Sequence, residues 1–447
     1  MLVSVAVRGW SAVAGLIGEN EGFHLPCGSV PNVSVSSVSP PSTGPTSTAM
    51  TPLERRASLS LASIFALRML GLFLVLPVFV LEAARYPGGD DPARVGLAMG
   101  IYGLTQAVLQ FPFGLASDRL GRKRVIVFGL LLFAAGSLLA AAATSLDGLL
   151  AGRALQGAGA VSAAVTALLA DQTRDEVRTK AMALVGASIG LMFALSLVLA
   201  PLLVAAVGLP GLFVLTAALA FGGIATVIWG VPPEPSEHKN TPRGKLSVVL
   251  AHPGLLRLNF GVFMLHAVQL AMWMAVPALL ERAGLTKDHH WWIYLPAVLA
   301  SFFVMGGTLF PMERRGYLRA VFLSAIGLIA LVQVGLLLAA GGSAGLVPLG
   351  LMMFVFFCGF NILEASQPSM VSRIAPPQAR GAALGVYNTL QSLGLFAGGV
   401  AGGALVKAYG PQGLFGVCAV AIVLWLGVAW PMRPPAKAGL PAASEAA

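Results

Sequence analysis

Along most of this chain polar positions are few and clustered. From Ala57 onward, apolar runs of roughly 20 residues, the length an α-helix needs to cross a bilayer core of about 30 Å, alternate with short polar turns. They fall at 58–82, 95–116, 124–144, 147–170, 181–207, 211–231, 258–281, 291–312, 319–340, 346–372, 381–407 and 411–431. These runs are apolar throughout, so each predicts a membrane helix whose backbone groups are satisfied internally. The longest interruption, Pro232 to Arg257, is rich in Pro, Glu, Lys, Arg and His. It divides the chain into a six-helix half at 57–231, a linker at 232–257 and a second six-helix half at 258–432.

The two ends depart from this pattern. Residues 1–56 hold a weak apolar stretch broken by Arg8 and then a Ser/Pro/Thr/Val-rich run from Ser29 to Thr48, a composition expected to be disordered. No basic region precedes the apolar part, as a secretory signal would require. Met50-Thr51-Pro52-Leu53-Glu54-Arg55-Arg56 has the look of a true start, which makes the preceding residues an over-extended amino end. Residues 433–447 form a short Pro/Ala-rich tail, also expected to be disordered.

Composition narrows the class. With 57% apolar residues, 10% charged residues and a mean hydropathy of +0.83, the chain is expected to be a polytopic membrane protein surrounded by lipid. Its net charge of +10 does not point to nucleic acid, because the bases sit in short turns and not on one face. They crowd instead into alternate loops: Arg55, Arg56, Arg119, Arg122, Lys123, Arg124, Arg174, Arg178 and Lys180 lie on one side, against Arg85 and Arg94 on the other. The second half repeats this bias, so both termini and the linker are expected in the cytoplasm. Cys27, Cys358 and Cys418 are too scattered for a disulfide framework or a metal cluster, and nothing calls for a cofactor. A membrane enzyme is disfavoured, since no Ser/His/Asp grouping or nucleotide loop is present.

Between the second and third runs, Gly114-Leu115-Ala116-Ser117-Asp118-Arg119-Leu120-Gly121-Arg122-Lys123-Arg124 packs bases, an acid and two glycines into one turn. Gly121 suits the left-handed conformation that ends a helix, and Asp118 and Arg122 share a face if the turn stays helical. Position for position, this resembles the G-x-x-x-D-R-x-G-R-[KR]-x signature of the major facilitator superfamily. Glu313-Arg314-Arg315-Gly316-Tyr317-Leu318-Arg319 echoes it weakly, and Arg178-x-x-Ala181-x-Ala183 recurs as Arg380-x-x-Ala383-x-Gly385. Two echoes at nearly one spacing argue for duplicated halves with a site near the midplane between them. The resemblance implies the twelve-helix, all-α facilitator fold. It also implies a gate in which Asp171 pairs with Arg122 while Asp118 faces the amino end of the eleventh helix near Ala382. That gate comprises Gly114, Asp118, Arg119, Gly121, Arg122, Lys123 and Asp171.

Ionisable groups inside the apolar runs are the candidates for chemistry, because an Arg at a helix centre costs near ~3 kcal/mol and needs a partner, water or a substrate. Arg68 lies about ten residues into the first run, too deep for easy snorkelling. Arg153 opens Gly152-Arg153-Ala154-Leu155-Gln156-Gly157, which resembles the family's R-x-x-Q-G motif, with Arg153 and Gln156 on one face. In the tenth run, Asn361 and Glu364 share a face, and Glu364 is the one clear acid of the interior. Glu364, with Arg68 and His266, is the candidate proton-coupling set, although each also has a purely structural reading as a fixed pair or a hydrogen-bonded core group. Gln106, Gln110, Gln269, Asn388 and Gln391 join Arg68, Arg153, Gln156, His266, Asn361 and Glu364 as candidate cavity lining. In the eleventh run, Gly385, Gly394, Gly398, Gly402 and Gly403 read as close helix packing, not as a binding site.

Leu67-Arg68-Met69-Leu70-Gly71-Leu72, Tyr102-Gly103-Leu104-Thr105-Gln106-Ala107 and Phe360-Asn361-Ile362-Leu363-Glu364-Ala365 resemble the YajR-type branch of bacterial facilitators. The resemblance covers nearly all of Met50 to Met432 and implies a proton-driven exporter in the bacterial inner membrane. A better-known member of the branch ends in a small soluble α/β domain, so regulation through such a domain is not expected here. The leading expectation is a monomeric antiporter exchanging protons for a small organic molecule. A symporter or facilitator importing a nutrient is the alternative, and a non-transporting sensor or assembly partner is the alternative of another class.

Overall fold

The computed structural model describes residues 49–234, 246–376 and 379–432. The expectations for residues 1–48, for most of the linker and for the tail from 433 lie outside them. What is described is helical. In order, the helices are α1 (Pro52–Phe73), α2 (Phe79–Ala83), α3 (Pro92–Leu120), α4 (Arg122–Ala141), α5 (Leu146–Ala158), α6 (Ser162–Asp171), α7 (Asp175–Ala225), α8 (Leu246–Ala251), α9 (Pro253–Trp273), α10 (Val276–Arg282), α11 (Trp291–Arg314), α12 (Leu318–Gly341), α13 (Leu346–Ile374) and α14 (Arg380–Ala429). Among the described residues, nine helical stretches are long and apolar enough to cross a membrane.

Local chemistry sets the helix starts. Thr51 accepts from the backbone of Glu54 while Glu54 returns a bond to Thr51 N–H, and Pro52 follows at the first helical position. Asp91 caps α3 ahead of Pro92, and Ser145 caps α5. Gly121, at φ 97°, ends α3 and starts α4 with no intervening loop. Several expected runs are broken inside: the first divides between α1 and α2 around Pro77, the fourth at Gly159–Val161 and the seventh before Pro277. A proline removes a donor and clashes with the preceding turn, which is the physical reason at the first and seventh.

The opposite departure occurs in α7 and α14, which run for 51 and 50 residues. At 1.5 Å per residue each would measure about 75 Å, more than two bilayer cores, so each must turn back. They do so at Gly208 and Gly410, both at φ 66° with extended ψ, a backbone state that side chains resist. The two glycines occupy equivalent places in the two halves. The same offset maps Arg178 onto Arg380, so the weak internal repeat in sequence has a geometric counterpart.

The halves meet through α3 and α14. A Cβ at Gly96 would lie 2.2 Å from the Gly399 carbonyl, and one at Gly103 would lie 2.4 Å from that of Ser392. Only backbone-to-backbone packing of small residues permits such an approach. On the other side of α14, a Cβ at Gly394 or Gly398 would press on the carbonyls of Phe263 or Ala267 in α9. The eleventh-run glycines thus pack closely, apart from Gly385, which faces open space.

Ion pairs join the halves at the end away from the basic loops. Lys287 Nζ donates to Glu82 Oε1 at 2.5 Å, and Lys407 Nζ to Asp91 Oδ2 at 2.7 Å. Towards the basic end, Gly186 and Gly190 of α7, Gly306 and Gly307 of α11, and Gly381 and Gly385 of α14 face open space.

Candidate functional site

Arg68 is 1% exposed, within the last two turns of α1, and the first half supplies the partners of its guanidinium. Its guanidinium donates to Tyr102 OH at 2.7 Å, Gln106 Oε1 at 3.1 Å and Ser162 Oγ at 3.2 Å, and it lies 5.6 Å from the centre of the Phe133 ring. Arg68 and Glu364, grouped in the sequence as a coupling set, are not paired here: the two terminal nitrogens of the guanidinium are taken by neutral acceptors of α3 and α6, while its Nε has no partner. Arg153, equally buried, donates to Gln156 Oε1 at 2.9 Å and to the Met99 carbonyl at 3.3 Å. Gln156 passes a bond on to Ser137 at 2.8 Å. Tyr102 joins the two arginines: its hydroxyl meets Arg68 and its ring lies 5.1 Å from the Arg153 guanidinium carbon. Arg153 and Gln156 are therefore sealed inside the first half. Gln110 is buried as well, with both amide atoms lacking a protein partner.

The second half is built differently. Glu364 in α13 leaves 31% of its side chain open. Gln391 Nε2 of α14 donates to Glu364 Oε1 at 3.3 Å, while the other carboxylate oxygen lies 3.4 Å from His266 Nε2 of α9. His266 Nδ1 is held by the Val262 carbonyl at 2.9 Å, and Phe360 sets its ring edge-on to the imidazole. Asn361, one turn before Glu364, donates to Ser301 of α11 at 2.8 Å, so it ties two helices of its own half together. Gln269 is buried one turn beyond His266, and Asn388 lies half-buried one turn before Gln391. Three runs that are far apart in sequence thus bring His266, Glu364 and Gln391 together.

The signature turn assembles as a small network. Arg122 pairs with Asp118 at i, i+4 and donates to Asp171 Oδ2 at 3.1 Å and to Ser117 Oγ at 2.8 Å. Ser117 in turn donates to the Gly114 carbonyl at 2.8 Å, whereas Arg119 is exposed. Two partners were not legible beforehand. Glu234, just past the sixth run, accepts from the backbone N–H groups of Arg122 and Lys123 at 3.1 and 2.7 Å and so caps α4 from a distance. Lys123 Nζ donates to the Val231 carbonyl at 2.7 Å. The unsatisfied N–H groups at a helix start draw a carboxylate, but sequence does not say which one arrives. Tyr102 is likewise an ordinary aromatic in an apolar run until α1 and α5 are placed on either side of it.

The description "Major Facilitator Superfamily" matches residues 61–399 and, in a second overlapping match, 312–447. The chain belongs to the major facilitator superfamily. It is 44% identical over 390 residues to the inner membrane transport protein YajR of Escherichia coli, covering 86% of this chain and 85% of that one. It is 27% identical over 355 residues to the multidrug resistance protein MdtH of Aeromonas salmonicida, covering 77% and 86%. In fold it is similar to the human organic anion transporter MFSD10, at a TM-score of 0.64 and 18% identity over 85% of this chain and 100% of that chain. As a facilitator the protein is a membrane transporter, not an enzyme. Its Asp118, Arg122 and Asp171 cluster and its duplicated kinks are the parts of the facilitator pattern visible in the geometry above.

Proposed function

We propose that the protein is a proton-coupled antiporter that exports a small organic compound by alternating access, with twelve crossings and both termini in the cytoplasm of a bacterium, in its inner membrane. The observation that carries the coupling is the carboxylate of Glu364, part open and part buried, beside a histidine and an amide and without a Lys or Arg partner among the described residues. A carboxylate held by a fixed cation keeps its charge through a cycle; one flanked by a neutral imidazole can take up and release a proton. Glu364 is the carrier and His266 the neighbour that shares the proton. Arg68 serves as a fixed interior charge held by Tyr102, and the half-buried amides of Asn388 and Gln391 contact the substrate.

Export is supported by likeness to a relative named for multidrug resistance, and the conformation is marked by ion pairs that close the end opposite the basic loops. Those pairs fit an inward-facing state, with Asp118, Arg122 and Asp171 forming the gate that shuts when the protein turns outward. The test is transport in proteoliposomes, using a compound found by a substrate-dependent thermal-shift screen. Glu364→Gln keeps shape and removes titration, so it is expected to abolish uptake driven by a pH gradient while sparing binding. Equal proton dependence in the variant and the wild type would remove Glu364 from the coupling.

A further inference from the structure

His266, Glu364 and Gln391 form a triangle whose hydrogen-bond roles can be assigned atom by atom. A carbonyl only accepts, so the 2.9 Å contact between His266 Nδ1 and the Val262 oxygen places a hydrogen on Nδ1 in either charge state. In the neutral ring Nε2 then carries a lone pair, and the amide nitrogen of Gln391 donates to it at 2.7 Å. The same nitrogen donates its second hydrogen to Glu364 Oε1 at 3.3 Å. Glu364 Oε2, 3.4 Å from Nε2, accepts no hydrogen bond. These donor and acceptor roles hold only while no proton lies between the imidazole and the carboxylate.

One added proton undoes them. On His266, Nε2 becomes a donor that faces Glu364 Oε2, and the Gln391 amide then meets it donor against donor. On Glu364, the new hydroxyl donates to Nε2 and displaces the amide from the lone pair. In both cases Gln391 must turn its amide over or withdraw. Its helix has little slack to absorb this, because the adjacent Ser392 carbonyl lies against Gly103 of the first half and Gly394 lies against α9.

We propose that Gln391 is the positioning residue that converts protonation of the His266–Glu364 pair into movement of α14 against α3, an inference that rests on the proton site proposed above. Few other groups compete for the role. From α14 itself Tyr387, one turn before Gln391, is buried and its hydroxyl has no hydrogen-bond partner among the described residues. From α13 the neighbour of His266 is Phe360, which in turn packs on Phe193 of α7. Among the described residues, no Lys or Arg pairs with His266 or Glu364.

The test reads conformation against pH in the full chain, with protons as the only ligand. Nitroxide labels at Asp91→Cys and Lys407→Cys report the distance across the two halves, in a background with Cys27, Cys358 and Cys418 replaced by alanine. Replacing Asp91 also removes the titration of that pair. In lipid nanodiscs the wild-type background is expected to change its ratio of short to long distances about tenfold between pH ~8 and ~5, the effect of one exchanged hydrogen bond to a charged group. Gln391→Met has the same length and no amide, so its change should fall below about twofold. Gln391→Leu repeats the measurement should the methionine variant not fold. Glu364→Gln should also be flat. A methionine variant with the wild-type response beside a flat Glu364→Gln would overturn the role of Gln391 and leave the proton site standing. A flat wild type, or Glu364→Gln responding like wild type, would overturn the proton site and the inference with it.

Discussion

Arg68 and Arg153 in the first half are each 1% exposed and share Tyr102 among neutral acceptors, whereas Glu364 in the second half keeps 31% of its side chain open and accepts one long amide bond. Both arrangements put a charge inside a membrane helix, yet they do different work. A guanidinium satisfied on several sides is expensive to disturb and cannot lose its proton, so it serves as a fixed part of the helix packing. The Glu364 carboxylate, with one oxygen unbonded beside an imidazole, is not locked in this way. Duplication supplied two similar halves, and they satisfy their interior charges differently, which is the contrast on which the proposed proton site rests.

The sharpest break of this comparison is Arg68→Leu. It strands the Tyr102 hydroxyl, Gln106 and Ser162 in the interior, and at ~1 kcal/mol or more for each buried group left unpaired the loss is expected to reach about 3 kcal/mol. Thermal unfolding in detergent should show a large fall, whereas Glu364→Gln should cost under about 1 kcal/mol. Equal stability losses in the two variants would erase the distinction between fixed and mobile charge.

Glu82→Gln asks whether the closed end is held electrostatically. Glu82 is buried and accepts from Arg85 at 3.2 Å and Lys287 at 2.5 Å, so neutralising it is expected to cost about 1–2 kcal/mol and to weaken closure several-fold. Cross-linking between cysteines at 91 and 407 is the measure, and an unchanged yield would free Glu82 from that duty. At the other end, Asp118→Asn loses the charge that answers Arg122 and, in the proposed outward-facing state, the amino end of α14. The expected effect is about 0.3–1 kcal/mol, seen as weaker cross-linking across the basic-loop gate in the outward-facing state.

The smallest effect belongs to the exposed pair Asp91–Lys407. The Lys407 ammonium, with the Ala93 N–H, holds the Asp91 carboxyl below the ordinary carboxylate value. A lowered folded-state value means that the stabilisation is present above the unfolded value of about 4 and fades as pH falls through the folded one. The stability difference between wild type and Asp91→Asn should therefore be constant from neutral pH to about 5 and shrink below that. A difference that grew on acidification would contradict the assignment.

The fold was legible because membrane helices announce themselves by length and apolarity, and the signature turn by charge spacing that only a helix–turn–helix at the water boundary accommodates. The pairing of Arg122 with Asp171 could be expected from the family resemblance, since that motif is local to one half. Other parts depended on helices being placed side by side. Nothing in the apolar run around Tyr102 marks it as the link between two arginines, and nothing in the linker marks Glu234 as the cap of α4. Sequence by itself determined which residues could not face lipid: Arg68, Arg153, His266 and Glu364 each demanded a partner because hydrocarbon offers none. Only the tertiary structure decided which partner each received, since a hydrogen bond needs donor and acceptor within about 3 Å and that distance is set by how helices cross. Arg68 went to a tyrosine, a glutamine and a serine, while Glu364 went to a histidine and an amide. The crossings that produced this outcome were permitted by glycines such as Gly96, Gly103, Gly394 and Gly398, whose missing side chains let backbones meet.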